Sequence, residues 1–295
     1  VDAPVRFDLA PLRRSLQRAA DGLTRDLPWI GTGNPWAVVV SEFMLQQTQT
    51  SRVVGPWQRF MASFPTPEAC AAAPLSEVLR HWEGLGFHRR AKFLHETARA
   101  LCERHGGAVP SDVGALRALP GVGAYTANAI ASFAFDAPVG ILDTNVGRVL
   151  ARAVANERLS GVEAQQLVDA LVPKQGSANF NQALLDLGAQ FCSATPRCES
   201  CPVKRVCRWH QDGGDDPAVA SAAVSKKQKP FKGSDREIRG RLLAALRESR
   251  KNWVTLAAAT ATTDEDRVRR CLQGLVDDGL VVENRGRWAL VGEDR

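Results

Sequence analysis

Cys192, Cys198, Cys201 and Cys207 form one short run, C-x5-C-x2-C-x5-C, with Pro202 directly after the third. Four thiolates so close in sequence bind a metal centre, and the intervening chain must then fold as a loop around it. Spacing alone leaves structural zinc and an iron–sulfur cluster equally open. The other three cysteines, Cys70, Cys102 and Cys271, lie on helical patterns and read as small core residues. An odd total of seven argues against a secreted disulfide framework and for a reduced cytoplasmic setting.

From Leu9 to about His210 the chain repeats apolar residues at three- and four-residue steps, with almost no alternating pattern. This predicts an all-α body. In "PWAVVVSEFMLQQTQTSRVVGPWQRFMASF" two helical runs are expected, started by Asn34-Pro35 and broken at Gly55-Pro56. Gln211–Ser234 is small, polar and then basic, and reads as a linker. Beyond it come two amphipathic helices and two strand-like runs around Asn284-Arg285-Gly286, a winged-helix order that serves DNA contact and plain packing about equally often.

The 295 residues carry a formal charge of +6, which favours an anionic partner, nucleic acid first. No signal peptide or transmembrane run is expected, and so no membrane partner.

Three features bear on chemistry. Glu42 lies on "AVVVSEFMLQQTQ" among Val38, Val39, Leu45 and Gln46, where lost hydration favours the proton-donating form of a carboxyl. A lone glutamate at such a place more often snorkels to solvent. Asp143 follows "VGIL" and opens "TNVGRVLARAV", which also suits a helix N-cap. "LPGVG", ending at Gly123, is a tight turn before a helix whose backbone N–H groups suit one phosphate of a nucleic-acid backbone. The basic stretch Phe87–His95, with Arg148 and Arg152, inclines that turn toward DNA rather than an ordinary helix–helix corner.

"SEFMLQQTQ", "GLGF", "LPGVGAYTA", "LDTNV" and the four-cysteine loop, in this order, resemble the endonuclease III superfamily of DNA glycosylases. "LPW", "SEFMLQQTQT" and "FNQALLDLGA" resemble the MutY-type adenine glycosylases within it, over Leu27–Cys207. The resemblance implies a mainly α, two-lobed helix–hairpin–helix glycosylase with an iron–sulfur loop, here followed by a small α+β winged-helix-like module. It implies a cluster-bearing domain over 1–34 and 146–210, a helical barrel over 35–145, a linker over 211–234 and the module over 235–292. The cofactor would be a [4Fe-4S] cluster on Cys192, Cys198, Cys201 and Cys207. The setting would be the bacterial cytoplasm at the nucleoid, and the protein a monomer on mismatched or lesion-bearing duplex DNA.

The resemblance also assigns roles. Glu42 would protonate adenine N7, and Asp143, supported by Asn145, would stabilise the oxocarbenium-like sugar or form a transient bond to it, a two-carboxylate logic applied to an N-glycosidic bond. The base must first leave the helix. Arg25, Trp29, Leu45 and Gln182 match pocket positions; Gln47, Leu85 and Phe87 match residues that probe the opposite strand; Gly121, Val122 and Gly123 would grip a phosphate. Tyr125 stands where strand-cutting relatives carry a Schiff-base lysine, which implies base removal without strong lyase activity.

The chain departs from the family in three ways. The first cysteine gap is five residues instead of six. Ile30 replaces a usual arginine or glutamine, and Phe87 a usual tyrosine. The expected C-terminal domain that senses 8-oxoguanine has no counterpart in the tail. Two other functions therefore compete: a thymine or uracil mismatch glycosylase, and a non-catalytic iron–sulfur DNA-binding protein.

Overall fold

Helices supply nearly all the regular structure. The computed structural model describes residues 7–221 and 230–293. In chain order the first helices are Ala10–Leu23 (α1), Pro35–Leu45 (α2), Thr50–Ser63 (α3), Pro67–Ala72 (α4), Leu75–His81 (α5), Arg89–His105 (α6) and Val113–Arg117 (α7). Then come Ala124–Phe135 (α8), Thr144–Val149 (α9), Gly161–Leu171 (α10), Ser177–Gln190 (α11) and Arg208–Asp212 (α12). The tail holds Asp235–Glu248 (α13), Lys251–Asn252 (β1), Trp253–Ala259 (α14), Glu265–Asp277 (α15), Val281–Asn284 (β2) and Arg287–Leu290 (β3).

Contacts divide the chain into two units. The first comprises Val1–Pro35, Ser111–Arg117 and Val122–Lys227. Its core forms because Leu12, Leu16 and Leu23 recur on one face of α1 and, with Leu9 just before it, meet Val149, Leu167, Leu184 and Leu187. Each such leucine contributes roughly 1.5–3 kcal/mol on burial. A run of wider turns, Leu150–Ala155, continues α9, and all six of its residues are buried, Arg152 among them. The expected linker proves partly built into this unit. Asp216 pairs with Arg152 at 2.6 Å, Pro217–Ala220 is a short 3-10 turn, and Ala218 and Ser221 are buried. Its small, polar composition concealed that anchor. Residues 222–229 of the expected linker lie outside the described residues.

The second unit comprises Trp36–Pro110, Ala118–Gly121 and Gln228–Arg295. Every residue of α2 from Trp36 to Met44 is buried, which explains its apolar character on all sides. The indole N–H groups of Trp36 and Trp57 donate to the Phe64 and Ala37 carbonyls, both at 3.0 Å. The break expected at Gly55-Pro56 is absent: α3 runs through Pro56. Val53, Trp57 and Phe60 bury a continuous face across the proline, which offsets its lost hydrogen bond, about 3 kcal/mol in an unsupported helix. The chain turns earlier, after Leu45, where Gln47 adopts φ 56°.

The tail forms the expected winged-helix order. β1, β3 and β2 pair in that order, antiparallel, with Glu283 opposite Trp288. Arg285 (φ 53°) and Gly286 (φ 74°) close the hairpin as a two-residue turn with positive φ at both positions. Two groupings differ from the sequence boundaries. Residues 122–145 fall in the first unit, because α8 packs on α7 and α11. Residues 235–292 fall in the second unit with 36–110, held by ion pairs of Asp278 with Arg89 and of Glu293 with Arg80. Among the described residues, no helix is long and apolar enough to cross a membrane.

Candidate active site

Asp143 is the N-cap of α9. Its Oδ1 accepts from the Val146 N–H and its Oδ2 from Asn145 Nδ2, both at 2.7 Å. Burial raises the Asp143 pKa, and these two bonds, with the nearby Arg148 cation, oppose the rise. The segment leading to it is pinned. Buried Asn181 donates to Ser132 Oγ and the Val139 carbonyl, both at 2.9 Å, and Asp169 accepts from Gly140 N at 2.8 Å. The capping role expected of Asp143 is therefore present, and it leaves the carboxylate fixed in place.

Asn145 is held from behind. Its Oδ1 accepts from Arg148 Nη2 at 2.6 Å, and Arg148 Nε donates to the Cys192 carbonyl at 2.6 Å. Arg152 Nη1 donates to the Ser193 carbonyl at 2.7 Å and lies 3.4 Å from Cys192 Sγ. Gly188 permits the close packing of α11 on Asn145, since a Cβ there would stand 2.7 Å from the Asn145 carbonyl oxygen. One hydrogen-bonded chain thus runs from Asp143 to the cysteine loop.

Cys192, Cys198, Cys201 and Cys207 line a single cavity, together with apolar residues such as Val149, Leu187, Phe191 and Val203 and with Arg152, Lys204 and His210. Burial pushes the Cys192 and Cys201 thiols up, and Cys207 to about 11. Among the described residues, no three His, Cys, Asp or Glu side chains converge as ligands of a single ion.

A second cluster gathers around Asp186, whose side chain is fully buried. It accepts from Arg25 Nε at 2.6 Å, from Arg25 N at 3.2 Å and from Gln182 Nε2 at 2.9 Å. The two expected pocket residues Arg25 and Gln182 are thereby brought together. Trp29, in the same unit, is buried.

Glu42 is 5% exposed, within α2, so the snorkelling alternative does not hold. Tyr125 is 37% exposed, in the first turn of α8. In the turn before it, Gly121 adopts φ 73°, and a Cβ there would stand 2.6 Å from Phe93 Cβ. Val122 is buried. Gly123 caps α8 with extended backbone and no side-chain cap.

In the second unit, Gln47 is exposed and Phe87 half-buried, both with left-handed backbone, at φ 56° and 46°. Such backbone costs of order 1–3 kcal/mol unless its surroundings hold it. Arg90 provides that hold. Its Nη1 donates to the Phe43 (3.0 Å), Met44 (2.9 Å) and Gln46 carbonyls. Its Nη2 donates to Thr48 Oγ1 (3.0 Å) and to the Leu85 and Gly86 carbonyls (3.1 Å each). One guanidinium ties the Leu45–Thr48 turn to the Gly84–Phe87 loop, and burial lowers its pKa to about 10. Leu45 is half-buried in that turn. Leu85 is 3% exposed, so its expected reach toward the opposite strand is closed in this conformation.

The basic residues that inclined the glycine turn toward DNA make bonds within the protein. Arg90, Arg148 and Arg152 donate to the protein's own groups, and Lys92 donates to the Asp278 carbonyl at 2.9 Å. Sequence reasoning missed Asp186, Arg148 as a link, and Arg90. Only Asp186 carried a signal, as a charge four residues beyond Gln182 on the apolar face of α11.

A profile of the HhH-GPD superfamily of base excision DNA repair proteins matches residues 40–174, which defines the class. The adenine DNA glycosylase of Mycolicibacterium smegmatis is 43% identical over 281 residues, covering 92% of this chain and 94% of that protein. A solved structure of a non-covalent endonuclease III–DNA complex aligns at TM-score 0.60 with 26% identity, covering 70% of this chain and 97% of that one. A thermostable thymine-DNA glycosylase structure aligns at 0.63 with 27% identity, covering 69% and 97%. The chain belongs to the adenine DNA glycosylase family.

Proposed function

We propose that the protein hydrolyses the N-glycosidic bond of adenine mispaired with 8-oxoguanine or guanine in duplex DNA, as a step of base excision repair. The observation that carries this reading is the Asp143 carboxylate, fixed by Asn145 and backed by Arg148, in a member of the adenine DNA glycosylase family. Glu42, buried within α2, protonates the departing base at N7. Asp143 stabilises the cationic sugar, and Asn145 orients it. Arg25, Trp29, Leu45 and Gln182 hold the extruded adenine, with Asp186 setting the first and last of them. Gln47, Leu85 and Phe87 probe the opposite strand. Gly121, Val122 and Gly123 bind a phosphate through backbone N–H groups at the start of α8.

Tyr125 offers no amine for a Schiff base, so the reaction stops at the abasic site. Cys192, Cys198, Cys201 and Cys207 hold a [4Fe-4S] cluster. The shared cavity, in a member of this family, supports that cluster over zinc. When bound, the cluster anchors the loop that carries the Cys192 carbonyl. The protein acts on DNA as a monomer in the cytoplasm, at the nucleoid.

The test is a panel of alkali-treated duplexes with adenine, thymine or uracil opposite guanine or 8-oxoguanine. Cleavage confined to the adenine strands is expected. Preference for thymine or uracil opposite guanine would establish a mismatch pyrimidine glycosylase instead. Binding without excision would make the protein a non-catalytic DNA binder.

A further inference from the structure

Residues 137–142, which lead into Asp143, form neither helix nor strand, yet Gly140 and Ile141 are buried. A buried irregular segment must find partners for its backbone groups on other elements. Three helices supply them. In α8, Asn128 Nδ2 donates to the Gly140 carbonyl at 2.9 Å, and the Ala131 carbonyl accepts from the Ala137 N–H at 3.1 Å. In α10, Asp169 Oδ1 accepts from the Gly140 N–H at 2.8 Å. The approach to α10 is so close that a Cβ on Gly140 would stand 2.8 Å from the Asp169 backbone nitrogen.

The contribution of α11 is Asn181, which is fully buried and uses both ends of its amide. Its Nδ2 donates to the Val139 carbonyl and to Ser132 Oγ of α8, both at 2.9 Å, and its Oδ1 accepts from the Ile141 N–H at 3.4 Å. One side chain thereby holds the segment at the second and fourth residues before Asp143 and ties it to α8. The next residue of α11, Gln182, bonds Asp186 in the proposed base pocket, and Gly188 further along lets the same helix pack on Asn145. A single helix therefore carries part of that pocket and the fastening of the loop that ends in Asp143.

We infer that Asn181 is a positioning residue for base excision, which sets where the Asp143 carboxylate stands relative to a base seated by Gln182. This inference rests on the proposed role of Asp143. An amide suits the task because it donates and accepts in one plane, whereas an ionised carboxylate only accepts and an aliphatic side chain does neither. Without Asn181 the Val139 carbonyl and the Ile141 N–H lose their partner, and the segment before Asp143 loosens. The carboxylate then draws away from the Val146 N–H and Asn145 Nδ2, which favour its charged form. Charge stabilisation at the sugar falls with the same displacement.

The experiment compares wild type, Asn181→Leu, Asn181→Ala and Asp143→Asn, each as the full chain at matched iron content. Single-turnover excision of adenine opposite 8-oxoguanine is followed across pH, and affinity is measured on a duplex whose 2′-fluorinated adenosine resists cleavage. Both Asn181 variants are expected to slow excision at least about tenfold while affinity stays within about twofold. Their rate–pH profiles are expected to show the acidic limb moved upward by about half a pH unit, a change that lost stability alone does not produce. Asn181→Leu keeps the shape of the side chain. Asn181→Ala leaves room for a water to satisfy the freed groups, so it reports even where the leucine variant is unstable. An unmoved limb in a folded variant, or a loss of affinity as large as the loss of rate, overturns the inference. Asp143→Asn that excises like wild type overturns the reading of Asp143 itself, which separates the two failures.

Discussion

Arg148 donates to the backbone carbonyl of Cys192 at 2.6 Å, and with its other end it holds Asn145, the residue that holds Asp143. A carboxylate proposed to face the sugar is therefore supported by the loop that carries the four proposed metal ligands. Charge-assisted bonds of this kind contribute about 1.5–3 kcal/mol each when a partner is removed. Arg148→Ala is expected to slow adenine excision at least about tenfold while changing duplex affinity much less, because it disorders Asn145 without touching DNA-binding groups. Single-turnover kinetics and a binding isotherm on the same duplex separate the two effects. Equal losses in both would show that Arg148 acts through DNA binding.

The raised pKa of Asp143 sets a pH dependence. Its folded-state value lies above the unfolded one, so its contribution to stability is present in acid and lost as pH rises through the folded value. At neutral pH the ionised carboxylate is a burden on the fold and an asset to the reaction. Excision should therefore fall in acid at a pH above that of an ordinary aspartate. Asn145→Ala removes a donor to the charged form and should move that acidic limb upward by about one pH unit. Rate–pH profiles of the two proteins check this; coincident limbs would detach Asn145 from Asp143 titration.

Much of this site was legible before the structure, and the reason is chemical. Cysteine spacing, a glycine turn and a carboxylate in apolar surroundings each restrict backbone or solvation, so they mark the sequence. Arg90 and Arg148 do not. An arginine between apolar helical positions reads as a solvated cation, and only the fold shows that its donors end on carbonyls. The same holds for Pro56, where a local rule predicted a break and the buried face of Val53, Trp57 and Phe60 overrode it. Asp216 was hidden likewise, as an acid in a linker-like stretch whose partner is distant in sequence.

The cavity bounded by the four cysteines yields a prediction about metal content. Purified protein should be brown and carry about four iron atoms per chain, not zinc. Cys201→Ser should lower iron content together with melting temperature, because the loop also supplies the Cys192 and Ser193 carbonyls that satisfy Arg148 and Arg152. Elemental analysis and absorbance read both; a colourless, zinc-loaded protein would overturn the assignment.

Tyr125 offers a gain-of-function test. At 37% exposure, a lysine there should cost within about 0.5 kcal/mol of stability. The N-terminus of α8 disfavours a nearby positive charge and so favours the neutral amine needed for attack. Tyr125→Lys is expected to form a borohydride-trapped covalent complex with product DNA that wild type does not form. A gel shift that survives denaturant is the readout, and its absence would show that position 125 does not face the sugar.

Arg90 supports the sharpest prediction about stability and recognition together. Its guanidinium serves acceptors on two loops whose key residues, Gln47 and Phe87, hold unfavourable positive φ angles. Arg90→Ala strands several buried carbonyls at about 1–3 kcal/mol each, so a loss of at least about 3 kcal/mol is expected in urea unfolding. Arg90→Lys keeps the charge but has three donors on one atom, and cannot span both loops as a planar fork does. It should fold, with intermediate stability, yet lose discrimination between adenine opposite 8-oxoguanine and adenine opposite guanine. If the lysine variant keeps full discrimination, the charge alone holds the loops, and the bridging geometry is not what positions Phe87.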